Sequence, residues 1–275
     1  MGPMAGALSE LFTPTVGSVA DSAAGVPTFV FPHAGGSPRF FHMWGSHWQW
    51  GPVWGVTYPG RDARLTEPMP AHVQALAAQV GEELAVHLRR HPLPTVRFFG
   101  HSLGAVVAYE TAIWLLAHRL QWDPARTTAI QLVVSGHNAP HISYPPDYVQ
   151  VHNKPTEKLV EEMVRVDPRN AEIFAIPELA ALLIPAIRED YRLAETYRSS
   201  QTSLFVDEIV VVAGEEDPDC FLEGLEGWKS YCRKWGGVHL QQGGHFYLAE
   251  YPESVPGLLA RLTGGRGLGA VSYTH

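Results

Sequence analysis

Short apolar segments alternate with segments of helical periodicity over the first half of the chain. Apolar residues recur at helical spacing between residues 70 and 90, and again from Leu103 to about Arg119. Around these helices lie short apolar runs that are typical of buried strands, at residues 28–31, 53–58, 96–99 and 130–136. Strands that alternate with helices predict an α/β fold, with a mostly parallel central sheet and helices on both faces.

The alternation stops between residues 140 and 203, where the pattern is only helical. Residues 158–166 and a segment that opens at Pro177 have helical character, and Pro185 is expected to kink or divide the second helix. A helical block of this length between two strands favours a lid over a set of helices that simply packs on the edge of the sheet. The alternation resumes with a strand at 208–214, a helix around 225–235, a strand at 238–240 and a helix over about 252–262.

These patterns divide the chain into five segments. Residues 26–139 and 204–264 form the two parts of one α/β core, and they flank the helical lid at 140–203. Residues 1–25 are expected to be a poorly ordered leader and residues 265–275 a flexible tail. A chain of 275 residues is long enough for one α/β domain with such an insertion.

Composition and charge narrow the range of partners and compartments. The net charge of −8, without a long run of one sign, argues against nucleic acid as a general partner. Cys220 and Cys232 are too few for a disulfide framework and match no usual zinc spacing, so no metal site is predicted. No targeting segment and no run of about 18 apolar residues is evident, so we expect a cytoplasmic protein without a membrane span.

A Gly-x-Ser-x-Gly turn joins an apolar run to the helix that begins at Leu103. The pattern, Gly100-His101-Ser102-Leu103-Gly104, is that of the nucleophile elbow of α/β-hydrolases, where the serine lies on a strained strand-to-helix turn. The two glycines keep side chains away where strand and helix pass closely. A chain with 26 glycines can contain this pentapeptide by chance, so a nucleophilic Ser102 requires partners elsewhere.

A serine hydroxyl needs a base, and in this fold class the order along the chain is serine, acid, histidine. His245 follows the last predicted strand behind two glycines and is the predicted base. The preceding strand is followed by four carboxylates within residues 215–219. Asp217, held in a rigid turn by the proline that follows it, is the preferred acid, and Asp219 is the alternative.

A loop with two adjacent glycines directly follows the first predicted strand. Its sequence is His33-Ala34-Gly35-Gly36-Ser37. A loop that brings a backbone N–H close to a substrate oxygen cannot carry bulk, so this composition favours an oxyanion loop over a plain flexible turn. His33 is expected to be a positioning or packing residue and not the base.

Five motifs together resemble those of type II thioesterases, the free-standing partners of polyketide synthases and nonribosomal peptide synthetases. They are Phe31-Pro32-His33-Ala34-Gly35-Gly36, Tyr58-Pro59-Gly60-Arg61, Gly100-His101-Ser102-Leu103-Gly104-Ala105, Asp217-Pro218 and Gly243-Gly244-His245-Phe246-Tyr247-Leu248. The lid segment 183–191 is similar as well, and the motifs span about residues 28 to 250. The paired motifs at 31–36 and 243–248 are much more specific than the elbow.

The resemblance implies a role for each matching residue. Ser102 would be the nucleophile, His245 the base and Asp217 the acid. The backbone N–H groups of Ala34 and Leu103 would form the oxyanion hole.

The chain departs from the family pattern at two places. Leu103 stands where the family often has Met, a mild change because only the backbone is used. In the lid, Val166-Asp167-Pro168-Arg169-Asn170 replaces a frequent Gly-Gly-Thr-Pro stretch, which leaves the preferred acyl chain open.

The resemblance also implies an α/β-hydrolase fold with an inserted helical lid. Members of the family hydrolyse acyl thioesters on the phosphopantetheine arm of acyl or peptidyl carrier proteins, in trans, and thereby remove stalled or aberrant acyl chains. No cofactor is implied, and we expect a monomer. The alternatives are another α/β-hydrolase activity, such as a carboxylesterase or acyltransferase, and a non-catalytic module that binds carrier proteins.

Overall fold

A seven-stranded sheet forms the centre of the part of the chain that the computed structural model describes, residues 6–12, 25–48, 51–142, 144, 148–200 and 202–264. The strands lie in the order β1-β3-β2-β4-β5-β6-β7. β1 pairs antiparallel with β3, and all other neighbours are parallel. The strands are β1 Leu8–Phe12, β2 Thr28–Phe31, β3 Val53–Val56, β4 Thr95–His101, β5 Ala129–Ser135, β6 Val206–Gly214 and β7 Cys232–Gln241.

Helices cover both faces of this sheet, as a parallel sheet requires. The α-helices are α1 Val73–Arg90, α2 Leu103–Ala117, α3 Arg119–Trp122, α4 Thr156–Val166, α5 Asn170–Phe174, α6 Pro177–Thr196, α7 Leu222–Glu226, α8 Tyr247–Glu250 and α9 Ser254–Gly264. The arrangement confirms the predicted α/β class with a mostly parallel sheet.

The hydrophobic core consists of two layers, one on each side of the sheet. Successive residues of a strand point to opposite faces. Phe98 therefore packs in the layer that contains the apolar residues of α1 and α2. Its neighbour Phe99 packs in the opposite layer, with Trp44 from a 3-10 helix and Leu258 from α9. Packing on both faces fixes the strands, and hence the loops at their carboxyl ends.

A helical insertion, α4 to α6, lies between β5 and β6. It has a small core of its own, formed by Val151, Leu159, Met163, Ile184 and Ile187. Its surface exposes further apolar side chains, which are Ile173, Ile176, Leu179, Leu182 and Leu183. The predicted boundaries of this lid at 140 and 203 stay a prediction.

The structure corrects the expectation of a poorly ordered leader over residues 1–25 for one segment of that range. Leu8–Phe12 is a strand, with Leu8 opposite Val56 on the outer edge of the sheet. Its Ser9 and Glu10 are exposed. A five-residue edge strand with polar outward positions has too weak an apolar pattern to be distinguished from a loop. The predicted tail, residues 265–275, lies outside the described residues, as do residues 1–5 and 13–24.

The helix predicted around residues 225–235 is confirmed in its first part and wrong at its end, because helical residues run only from Leu222 to Tyr231. A short 3-10 helix ends at Tyr231, and β7 begins at Cys232. Pairing with β6 determines where β7 begins, since Cys232 lies opposite Val206 and the paired residues continue to Gln241. Lys234 on this edge strand forms an ion pair with Glu208 of the neighbouring strand at 2.6 Å. Such cross-strand partners override the local helical pattern.

Pro185 does not divide the helix that contains it. α6 continues from Pro177 to Thr196. A proline inside a helix leaves the carbonyl four residues earlier without its usual donor. That carbonyl belongs to Ala181, which is exposed, so water can replace the lost partner.

Within the described ranges, no helix combines the length and the apolar character that a membrane crossing requires.

Candidate active site

Ser102 lies on the sharp turn between β4 and α2. Its backbone has φ 54° and ψ −121°, a conformation that non-glycine residues rarely adopt. The turn is held across the sheet, because the Ser102 N–H donates to the Ser135 carbonyl at 2.8 Å. In this strained conformation Ser102 is partly exposed at the beginning of α2, as the elbow pattern predicts.

The two glycines of the elbow are required by close backbone approaches. A Cβ atom on Gly100 would lie 2.1 Å from the carbonyl oxygen of Gly104. A Cβ atom on Gly104 would lie 2.0 Å from the carbonyl oxygen of Phe31. The second approach also brings the end of β2, and with it the loop at 33–37, against the beginning of α2.

His245 and Asp217 are in direct contact beside this turn. The distance between His245 Nδ1 and Asp217 Oδ2 is 2.8 Å, and both residues are buried. His245 lies in the loop after β7, and Asp217 lies in the loop after β6. A hydrogen bond joins these two loops, because the Glu216 N–H donates to the Gly243 carbonyl at 3.0 Å. If Nδ1–H donates to the carboxylate, the other ring nitrogen of His245 is left as a proton acceptor.

Asp219, the alternative acid, occupies a different environment. Its carboxylate is partly exposed and pairs with Arg165 of α4, at 2.9 and 3.0 Å. Its backbone N–H donates to Asp217 Oδ1 at 3.0 Å. Burial alone would raise the pKa of Asp217, but the hydrogen bonds from His245 and Asp219 outweigh burial and hold that pKa below its usual value. Asp217 is therefore kept as a carboxylate against the imidazole.

A chain of buried polar side chains lies behind the pair and was not predicted from the sequence. The His101 ring centroid is 4.9 Å from that of His245. His101 Nδ1 lies 2.9 Å from Ser135 Oγ, which in turn lies 2.8 Å from the Tyr247 hydroxyl. The available signals were the His within the elbow and a Ser at the end of an otherwise apolar strand.

Burial keeps two histidines near the site neutral. Desolvation, together with the neighbouring His245, lowers the pKa of His33 to about 3 and that of His101 well below its usual value. A neutral imidazole adds no positive charge beside a histidine that has to accept a proton.

These neutral histidines predict a loss of stability in acid. An unfolded histidine binds a proton near pH 6.5, whereas His101 in the folded protein does not. Below that pH the unfolded state holds more protons, so the free energy of unfolding falls by up to about 1.4 kcal/mol per pH unit for each such histidine. Urea unfolding between pH 7 and 5 should show this fall, and a shallower one in His101→Gln.

A histidine on the surface supplies the control for this experiment. His47 is exposed, so His47→Gln should keep the wild-type dependence of stability on pH. Equal slopes in wild type and His101→Gln would contradict the prediction.

The loop at 33–37 forms a tight turn next to the beginning of α2. The Gly36 N–H donates to the His33 carbonyl at 2.9 Å, and Gly35 has φ 77°, a conformation that suits glycine. The N–H groups of Ala34 and Leu103 donate to no acceptor in the described part of the chain. The structure thus places the two predicted oxyanion donors in adjacent elements.

Among the described residues, one group has donor atoms within 4.8 Å of one another that could surround a cation, namely Asp217, Asp219 and His245. Their atoms are already partnered, with Asp217 bonded to His245 and Asp219 to Arg165. This is the arrangement of an acid–base pair with a supporting ion pair. The predicted absence of a metal stays a prediction.

Comparisons with known proteins agree with this geometry. The family model for the thioesterase domain matches residues 27–263. The "Probable cadicidin biosynthesis thioesterase" of Streptomyces griseus is 33% identical over 226 residues, which are 82% of this chain and 59% of that protein. The "Thioesterase PikA5" of Streptomyces venezuelae is 33% identical over 223 residues, which are 79% of this chain and 73% of that protein. This chain thus spans less than two thirds of the first of these relatives.

A solved structure with a similar fold is the type II thioesterase BorB from the borrelidin biosynthetic cluster. It has a TM-score of 0.75 and 28% identity, and the match covers 92% of this chain and 96% of that chain. The resemblance to type II thioesterases is confirmed, and so is the predicted fold class. Since the family model matches nearly the whole described core, the chain belongs to the thioesterase domain family.

Proposed function

We propose that Ser102 is the nucleophile of a serine thioesterase, with His245 as its base and Asp217 as the acid. The observation that carries this proposal is the 2.8 Å contact between His245 and Asp217, with His245 packed against His101 of the strained turn that holds Ser102. The chain order of serine, aspartate and histidine supports it. The backbone N–H groups of Ala34 and Leu103 supply the oxyanion hole.

The first half of the reaction transfers the acyl group to the enzyme. Ser102 Oγ attacks the thioester carbonyl while its proton passes to His245, and the two backbone N–H groups hold the oxyanion. The imidazolium is stabilised by Asp217. The tetrahedral intermediate then collapses, the carbon–sulfur bond breaks, and His245 returns the proton to the leaving thiolate.

The second half releases the acid. Water attacks the carbonyl of the acyl-serine and gives a proton to His245, so that a second tetrahedral intermediate forms in the same oxyanion hole. Its collapse breaks the bond to Ser102 Oγ, which takes the proton back from His245. The products are the free acyl acid and the thiol, and the enzyme returns to its initial state.

The substrate we propose is an acyl group on the phosphopantetheine arm of an acyl or peptidyl carrier protein. The names of the relatives, which assign them to biosynthesis, support a biosynthetic carrier as the partner. Removal of stalled or aberrant chains, in trans, from a polyketide or nonribosomal peptide synthase is the role that fits such a hydrolase. The exposed apolar residues of α6, among them Leu179 and Leu182, offer an apolar surface on the lid that suits contact with an acyl chain. The expected monomeric state and cytoplasmic location stay predictions.

A comparison of matched substrates tests this proposal. A thiol with a pKa of about 8.5 leaves far more readily than an alkoxide, so kcat/KM for an acyl thioester should exceed that for the matched oxygen ester by at least about tenfold. A thioester on a holo carrier protein should be hydrolysed better than the same acyl group on free pantetheine. A preference for the oxygen ester would favour a carboxylesterase instead.

A further inference from the structure

A buried ion pair connects helix α6 to the loop that contains Ala34. Asp190 of α6 is fully buried, and its Oδ1 accepts a hydrogen bond from Arg61 Nη2 at 2.5 Å. Its Oδ2 accepts from the backbone N–H of Gly35 at 2.7 Å. Arg61 Nη1 donates in turn to the carbonyl of Gly36 at 2.7 Å. Both members of the pair thus hold the backbone of the same loop.

A further polar contact holds the residue that directly precedes this loop. The Tyr58 hydroxyl donates to the carbonyl of Pro32 at 3.1 Å, and the guanidinium of Arg61 lies 5.3 Å from the Tyr58 ring centroid. Two adjacent glycines would otherwise leave the backbone free to adopt many conformations. Polar contacts from three side chains, together with the hydrogen bond from the Gly36 N–H to the His33 carbonyl, therefore hold the loop in one conformation.

These contacts bear directly on the Ala34 N–H. A peptide unit is planar, so the His33 carbonyl and the Ala34 N–H share one plane and turn together. The Gly36 N–H holds that carbonyl at 2.9 Å. The next peptide unit is held through its Gly35 N–H by Asp190. The direction in which the Ala34 N–H points is thus fixed by bonds on both sides of Ala34.

We propose that Asp190, together with Arg61, is a positioning residue for the oxyanion hole, and that it makes the orientation of the Ala34 N–H depend on how α6 is seated. The inference rests on the proposed function of that N–H as an oxyanion donor. Asp190 is 155 residues from Gly35 along the chain, and it belongs to the helix whose outer surface carries the exposed apolar residues of the lid. Seating of the lid and completion of the catalytic site are therefore one event.

The same helix provides a matched control. Glu195 of α6 is also buried, and it accepts hydrogen bonds from the Tyr148 hydroxyl and from the backbone N–H groups of Val151 and His152. These partners belong to the segment that enters the helical insertion and not to the oxyanion loop. Glu195→Gln therefore removes an equally buried carboxylate from the same helix without touching Gly35 or Arg61.

The test compares Asp190→Asn with Glu195→Gln on an acyl thioester and on the matched oxygen ester. Loss of a preorganised donor acts on the transition state, so Asp190→Asn should lower kcat about 10- to 100-fold with KM within about threefold of wild type. The affinity for an acyl trifluoromethyl ketone, which forms an oxyanion on Ser102, should fall by a similar factor. Glu195→Gln should keep kcat within about threefold of wild type, even where its melting temperature falls.

A second variant keeps the test open if Asp190→Asn does not fold. Arg61→Lys retains the buried positive charge, but one ammonium group cannot hold both Asp190 and the Gly36 carbonyl in the geometry of the guanidinium. We expect a fall of about tenfold in kcat, again with KM little changed. Circular dichroism and the melting temperature show that each variant is folded.

The possible results separate this inference from the proposed function. Equal effects of Asp190→Asn and Glu195→Gln, or a rise in KM with kcat unchanged, would overturn the positioning role. If wild type hydrolyses only the oxygen ester, the proposed thioesterase function fails, while the ester still reports the effect of Asp190 on the oxyanion hole. If wild type hydrolyses neither substrate, both fail.

Discussion

Replacement of Ser102 by alanine is expected to lower kcat for a carrier-bound acyl thioester by at least about 10⁴-fold, with little change in KM. The substitution removes the only atom that we propose forms a bond to the acyl carbon. It leaves the loop at 33–37 and the contact between His245 and Asp217 in place. Binding of the acyl carrier should therefore survive while turnover is lost, which release of the acyl group over time and carrier binding would measure separately.

The covalent character of the reaction gives this prediction its control. A fluorophosphonate probe should label wild type once, at Ser102, and should fail to label Ser102→Ala. The variant should be at least as stable as wild type, because alanine needs no hydrogen bond at this turn. A variant that still hydrolyses the thioester within about tenfold of wild type would exclude Ser102 as the nucleophile. A wild type that binds carrier but is neither labelled nor active would favour the binding-module alternative.

The second large effect is expected for Asp217→Asn, which should lower kcat by about 10³- to 10⁴-fold. An amide at this position can donate to Nδ1 of His245, and this favours the tautomer whose other nitrogen cannot accept the serine proton. It also removes the negative charge that stabilises the imidazolium. Steady-state hydrolysis of one thioester by both proteins, near neutral pH, measures the effect.

Asp219→Asn is the matched control for this variant, since Asp219 lies two residues away in the same loop. Its side chain pairs with Arg165 on the surface, and only its backbone N–H contacts Asp217. Because the substitution leaves that backbone contact, kcat should stay within about tenfold of wild type. A larger loss in Asp219→Asn than in Asp217→Asn would make Asp219 the acid and would contradict the assignment.

The sheet and the order of the site residues could be predicted because both depend on local pattern. The runs at 28–31 and 96–99 are buried and, apart from Thr28 and Arg97, apolar, as is typical of strands covered on both faces. Ser102, Asp217 and His245 follow β4, β6 and β7 respectively, and parallel strands end at the same edge of the sheet. The motif spacing therefore carried most of the information on the site.

The contacts that hold the site could not be predicted in the same way. Nothing local to Asp190 indicates that its carboxylate meets the Gly35 N–H, because the two residues are joined only by the packing of α6 on the core. The contact between His101 and Ser135 likewise depends on the register between β4 and β5. The beginning of β7 at Cys232 was missed for the same reason, since its partner strand determines it. Cross-strand and cross-helix partners leave no periodic signal in one sequence.

The two halves of helix α6, on either side of Pro185, make different kinds of contact, so they can be altered separately. Its first half presents Leu179 and Leu182 outward, while its second half carries Asp190 and Glu195 into buried contacts. Selection for a new acyl chain can therefore change the first half freely while the second half stays fixed. A graft that exchanges lids between relatives should be cut near Pro185, so that the recipient keeps its own Asp190 and Arg61 and with them a loop already shaped for catalysis.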